Sequence, residues 1–266
     1  MVKSYKNLTV SGKTDGFGAQ LNAKLSGIAY CIVDKKYRYI HTPFTTVSHG
    51  FREPEQVDKC NWIFPHVDNR RGKKIHVRYP QGLNNVFHNP DNFYLPHTLE
   101  RIRNIYWSNK SFCKMQQIAF HIRRGDITAL RKRGHWDGKR RWQGNEFYKR
   151  LIPKIVINYP DYMPIVIYSE GIEEDFETIF TKWPDGLRDR VVLKLGNYKE
   201  SSGKKTSTGM IKTFQEMVSS EVLVQSRSSL SYCCGILNDG EVWNEGSYTR
   251  ARPISYRRGL SHWKKF

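Results

Sequence analysis

The stretch His121-Ile-Arg-Arg-Gly-Asp126 puts an imidazole, two guanidiniums, a glycine and a carboxylate side by side. It follows an apolar run, Gln117-Ile-Ala-Phe120, that reads as a buried strand. In open α/β sheets ligands bind beyond the carboxyl ends of strands. Guanidiniums hold planar oxyanions through paired N–H donors. Arg123 and Arg124 at a strand end are therefore expected to form a site for a diphosphate. A buried Arg124–Asp126 pair is the structural alternative for half of the motif.

Three further segments could share that site. Asp15-Gly-Phe-Gly18 lies between an expected strand and an expected helix, where Gly16, Phe17 and Gly18 would let backbone approach an anion at a helix start. Tyr168-Ser-Glu170 and Ser226-Arg-Ser-Ser229 each follow a strand and precede a helix, so their hydroxyls either hold phosphate or ribose oxygens or simply cap a helix. The densest basic segment, Arg131 to Trp142, reads as a solvated loop or a lid. Within it, Trp136 and Trp142 could stack on acceptor sugar rings, with Asp137 beside them.

Other motifs fail. Leu21 breaks the dinucleotide fingerprint that starts at Gly16, and Tyr198 and Lys205 break a P-loop around Gly203-Lys204. No Asp-x-Asp occurs, so arginine rather than a chelated metal is expected to neutralise a leaving diphosphate.

These residues need elements to position them. Tyr5–Val10 reads as a strand, and Leu21, Leu25, Ile28, Ala29 and Ile32 recur at helical spacing. Tyr37–His41 is an expected strand and Leu95–Trp107 an expected helix, with weak signals between Pro43 and Pro96. Beyond residue 115 the pattern is regular. Strands are expected at 116–122, Pro164–Tyr168, Arg190–Lys194 and Glu221–Gln225. Helices are expected at Phe147–Ile157 (kinked or broken at Pro153), Glu173–Thr181, Met210–Ser219 and Ser229–Leu237, with Glu200–Thr208 a mobile polar loop. This alternation argues for an α/β chain with parallel sheets and two Rossmann-like halves facing a cleft, about 1–114 and 115–266.

Composition bounds the partners. The chain has 266 residues, and 38% hydrophobic content is enough for a packed core. There is no apolar signal segment at Met1–Lys6 and no run long enough to span a bilayer, so a cytoplasmic protein with no membrane span is expected. Five cysteines without a Cys-x-x-Cys pair argue against a zinc site or disulfide framework. A formal charge of +19 suits nucleic acid or an anionic substrate. A basic nucleic-acid-binding protein without catalysis is the competing class, but no RNP, KH or zinc-finger pattern supports it.

Taken together, the motifs resemble the superfamily of α1,2-, α1,6- and protein O-fucosyltransferases. Its His-x-Arg-Arg-x-Asp motif is matched by His121, Arg123, Arg124 and Asp126, and the bacterial-type α1,2 branch looks closest. Tyr168-Ser-Glu-Gly171, Gln225 to Tyr232, Glu146-Phe-Tyr148 and Gly16-Phe-Gly-Ala-Gln20 resemble that branch's other signatures. The resemblance implies a GT-B-like fold and inverting, metal-independent sugar transfer from a nucleotide-diphosphate sugar to a glycan or glycoprotein hydroxyl, with no cofactor. It implies that Arg123 binds the donor β-phosphate, helped by His121, Ser228 and Ser229, with Ser169 and Glu170 near the nucleoside. It points to Asp15 as the base, with Asp137 as its rival. The family pattern is broken at Ala19, Gly171 and Arg227, so a UDP-sugar such as UDP-xylose stands beside GDP-fucose as the expected donor. A viral or bacterial enzyme is the expected setting.

Overall fold

Short β-branched runs alternating with helical segments build two parallel sheets. The computed structural model describes residues 5–48, 54–63, 73–111, 113–196, 207–245 and 259–266. The first sheet comes from β1 (Lys6–Val10), β2 (Tyr37–Tyr39) and β3 (Lys74–Val77), in the order β2-β1-β3 with both pairings parallel. Helices α1 (Phe17–Val33), α2 (Pro54–Asn61), α3 (Asn84–His88) and α4 (Pro96–Trp107) belong to this half of the chain.

The second half supplies β4 (Met115–His121), α5 (Asp126–Lys132), α6 (Trp136–Arg141), α7 (Asn145–Val156) and β5 (Ile165–Ser169). It continues with α8 (Glu177–Phe180), β6 (Val191–Leu195), α9 (Ser207–Ser219), β7 (Ser220–Val224), α10 (Ser229–Leu237), β8 (Glu241–Asn244) and β9 (Lys264–Lys265). The order β6-β5-β4-β7-β8-β9 is parallel throughout. The chain thus runs outward from β4 to β6, then restarts on the other side of β4 with β7. The direction reverses between β4 and β7, which makes the gap beyond their carboxyl ends the topological switch point where doubly wound sheets bind ligands. The expected mixed α/β architecture with parallel sheets is what the chain forms.

Strand alternation sorts the core. Ile118 and Phe120 of β4 face an apolar cluster with Ile152 of α7 and Ile165 and Ile167 of β5. Ala119 faces the other cluster, which runs without a break from Leu8 and Leu21 of the first half to Phe214, Leu223 and Tyr232 of the second. Helix α1 lies inside this second cluster, against β1 on one flank and α10 on another. Even its polar Gln20, Asn22, Lys24 and Ser26 are buried. Gln20 offsets its burial by donating to the carbonyls of Asp15 and Thr46, both at 2.7 Å.

Several elements differ from the sequence expectation. The basic segment is not a loop: α5 and α6 pack on each other, and Gly138 permits it, because a Cβ there would overlap the α5 backbone at Arg131. Helix α7 continues through Pro153 to Val156. Proline leaves the Lys149 carbonyl without its helical donor, and the Trp183 indole N–H donates to it instead at 3.0 Å. The expected helix over 173–181 is a 3-10 turn, Glu173–Asp175, followed by the short α8. Strands β3, β8 and β9 carry too weak an apolar pattern to be expected. Most of the expected polar loop at 200–208 lies outside the described residues, and 207–208 open α9. Among the described residues no helix is long and apolar enough to cross a membrane.

Candidate functional site

The switch point is built by the residues that follow β4 and β7. After β4, Ile122 still bonds to the Tyr168 carbonyl at 2.9 Å, and the chain then turns through Arg123 and Arg124 into α5. Gly125 makes the turn at φ 62. A side chain there would also collide with the Glu170 carboxylate that follows β5. After β7, the Ser226–Ser228 turn enters α10, with the Ser228 hydroxyl capping the helix by accepting from Leu230 N–H at 3.3 Å. His121 and Ser226 tie the two strand ends together, Nδ1 to Oγ at 2.8 Å.

Opposite these turns stands the start of α1. Gly16 is its N-cap, no side chain caps it, and its first turn carries no acidic residue. Gly18 brings this helix start against α10. A Cβ on Gly18 would lie 2.5 Å from the Leu230 backbone nitrogen, and the Cys233 thiol donates to the Gly18 carbonyl at 3.4 Å. Ser48 N–H and the Gln20 amide both hold the Asp15 carbonyl, so the loop before α1 is fixed in place.

A cavity of about 290 Å³ lies between the two sides. Of the residues singled out in the sequence, Asp15, Gly16, Phe17, Gly18, Arg123, Asp126, Asp137, Glu170, Ser228 and Ser229 line it. Arg123 uses one N–H on the Asp126 carboxylate, and a guanidinium has five. The Asp15 carboxylate is 56% exposed and pairs with Lys13 at 2.6 Å. Asp137 is engaged on both oxygens, by Arg140 at 2.6 Å and Arg141 at 3.1 Å. The starts of α1, α5 and α10 all contribute to the lining, so their backbone dipoles add positive potential to that of Arg123 and Arg141.

Several of the residues singled out in the sequence lie away from this cavity. Arg124 does not share the cavity with Arg123, and it does not pair with Asp126. It is buried, donates to the Gln143 carbonyl at 3.0 Å and Asn145 Oδ1 at 2.7 Å, and stacks 4.1 Å from the Trp142 ring centroid. His121 lies behind the cavity wall, where burial, reinforced by the Arg123 charge, lowers its pKa to about 3 and keeps the ring neutral. The Ser169 hydroxyl is turned inward onto the Ile122 carbonyl at 2.7 Å. Trp142 is sandwiched between Arg124 and Arg131, and Trp136 is a 61% exposed surface ring under Arg140, so neither lines the cavity.

Ser48, Leu130, Arg141 and Met210 join the lining without having been singled out, and Ala19 and Leu230 join it from two of the resembled segments. Of the first four, only Arg141 carried a signal, as part of the basic segment. Arg227, which breaks the family's serine motif, turns away from the cavity. It forms a two-point ion pair with Glu245, at 2.8 and 2.7 Å, and donates to the Arg140 carbonyl, tying α6 to the end of β8.

Fold and site together define a doubly wound α/β protein whose switch-point cavity is lined by Arg123 and Arg141 together with the carboxylates of Asp15, Asp126, Asp137 and Glu170. No protein-family model matches the sequence, and no curated protein is significantly similar to it. Among solved structures, the chain is similar to the NodZ α-1,6-fucosyltransferase co-crystallised with GDP, at 10% identity and a TM-score of 0.40 over 88% of this chain and 93% of that one. A selenomethionine form of fucosyltransferase NodZ from Bradyrhizobium gives 10% identity and a TM-score of 0.41 over 94% and 97%. The E. coli heptosyltransferase WaaC with ADP gives 12% and 0.36 over 92% and 88%. At such identities these are likenesses of chain path, and the chemistry of the cavity rests on its own residues.

Proposed function

We propose that the protein is an inverting, metal-independent glycosyltransferase that moves a sugar from a nucleotide-diphosphate donor to a hydroxyl of a glycan or glycoprotein. Fucose is the sugar the sequence resemblance implies. The observation that carries the reading is the meeting of Arg123, the Ser228–Leu230 turn and the Asp15–Ala19 turn on one cavity at the switch point. The spare N–H donors of Arg123 and the helix starts suit a diphosphate, and Asp15 stands on the facing side. In the proposed step the acceptor oxygen attacks the anomeric carbon as the bond from that carbon to the diphosphate oxygen breaks. The acceptor proton passes to the Asp15 carboxylate, and the bonding pair leaves with the diphosphate, whose charge Arg123 balances. Asp137 suits the base role less well, because two guanidiniums occupy its oxygens. A UDP-sugar donor is the second reading, favoured by Ala19. This residue lines the cavity where the resembled family has asparagine, and its methyl group offers no hydrogen bond to a base.

A panel of GDP-, UDP- and dTDP-sugars tests both. A donor at a hundred times its Kd stabilises by about 2.7 kcal/mol. For a chain of this size that raises Tm by roughly 5–10 °C. Stabilisation by none of the nucleotides would sink the enzyme reading, and stabilisation by UDP but not GDP would sink fucose transfer. Donor turnover that survives EDTA is the expected result for arginine-based charge balance, and turnover abolished by EDTA would overturn it.

A further inference from the structure

A second cavity, of about 220 Å³, opens beside the loop that carries Asp15, at the carboxyl end of β1. Its most unusual lining group is Lys24, whose side chain comes from the middle of α1 and is only 5% exposed. The ammonium donates to the Thr42 carbonyl and sits 4.6 Å from the centroid of the Phe44 ring. Among the described residues it has no carboxylate partner. A buried cation satisfied by one carbonyl and a ring face is costly, because its desolvation is not offset by an opposite charge. The cost shows in its acidity, which burial brings down to about 8. Lys13 lines the same cavity and pairs with Asp15, which lines the first one, so that ion pair joins the linings of the two cavities.

We propose that this second cavity is an oxyanion subsite, in which Lys24 binds a carboxylate or phosphate group carried by the acceptor sugar. The placement rests on the glycosyltransferase reading: an acceptor anchored by its anionic group at Lys24 presents a hydroxyl past Lys13 to Asp15 and the donor cavity. The substrate class so named is an acidic sugar, either a uronic acid or a sugar phosphate. Binding of the anion itself does not depend on the first cavity, and this makes the two ideas separable.

The test measures binding of glucuronate, glucose 6-phosphate and neutral methyl glucoside to the intact chain and to Lys24→Met, Thr45→Glu and Arg123→Ala, by calorimetry and thermal shift. The acidic sugars are expected to bind wild type and Arg123→Ala alike, methyl glucoside at least tenfold more weakly, and the two acidic probes show which anion is preferred. Lys24→Met is expected to weaken the acidic sugars at least tenfold. Thr45 is exposed at the cavity lining, so Thr45→Glu is expected to do the same by repulsion with the fold intact, whatever Lys24→Met does to folding. Equal binding of the neutral sugar, unchanged binding in Thr45→Glu, or loss in Arg123→Ala alone would each overturn the subsite. Acidic sugars that bind at Lys24 while no nucleotide binds at all would leave the subsite standing and remove the transferase reading. Nucleotide binding without acidic-sugar binding would do the reverse.

Discussion

Two neighbouring arginines of the same motif do different work, and the difference is measurable. Arg123 reaches the cavity and leaves most of its donors for a ligand, whereas Arg124 is locked between Gln143, Asn145 and Trp142. Hydrogen bonds to charged groups contribute about 1.5–3 kcal/mol. Arg123→Ala is therefore expected to weaken nucleotide binding by roughly 10- to 100-fold, with little change in Tm. Arg124→Ala strips partners from a buried carbonyl and an aromatic face, and it is expected to lower stability by about 2–4 kcal/mol. The opposite pattern in paired titration and denaturant curves would exchange their assigned roles. Gly18→Ala is a third case. The added methyl must push the α10 backbone aside, so it is expected to lower both stability and nucleotide affinity, which Ser229→Ala in the same cavity would not do for stability. At this scale the sequence was informative about residue types. Asp15, Arg123, Glu170 and Ser228, singled out by type, line the cavity, but the sequence does not show which hydroxyl or guanidinium faces outward. That choice is made by the turn after Ile122 and by inward carbonyls such as that accepting from Ser169, which no local spacing encodes.

Elements were legible where their own periodicity decides them. The apolar runs of β4, β5 and β7 and the helical spacing of α1, α4 and α10 were readable because these segments bury a whole face or more. Strand β3 was not, since its Ile75 is 44% exposed and its pairing with β1 supplies most of its order. Helices α5 and α6 were hidden for the same reason. Five of their thirteen residues are basic, and they are helical because they pack on each other and because Arg227, held by Glu245, anchors the α6 end. Helix α7 shows how a distant residue can overrule a local breaker. Trp183 supplies the donor that Pro153 lacks, so Trp183→Phe is expected to cost about 1 kcal/mol or more. Restoring a backbone N–H with Pro153→Ala should then recover more stability in the Trp183→Phe background than in wild type. Additive effects in that double-mutant cycle would show that the indole bond does not substitute for the missing helical one.

The whole molecule carries a formal charge of +19 yet keeps two imidazoles neutral in its interior, and the two facts make different claims on acid stability. Burial lowers the pKa of His121 to about 3, with Arg123 adding to the effect. Burial likewise lowers that of His41 to about 3, with Lys24 and Lys74 adding to it. An imidazole in water titrates near 6.5. Between pH 6.5 and 3 the unfolded chain binds protons that the folded chain refuses. Stability therefore rises with pH across that window and is lost as pH falls through it. The slope approaches about 1.4 kcal/mol per pH unit for each histidine. Repulsion among the surface cations also grows as carboxylates protonate, but it is screened within about 10 Å at 0.1 M salt. Desolvation of a buried ring is not screened. Denaturant curves between pH 7 and 4.5 are accordingly expected to keep most of their pH slope when salt is raised to 0.5 M. His121→Asn should flatten that slope by up to one proton's worth. A slope that vanishes in salt, or that His121→Asn leaves unchanged, would place the acid sensitivity in the surface charge instead of in the strand end that supports the candidate site.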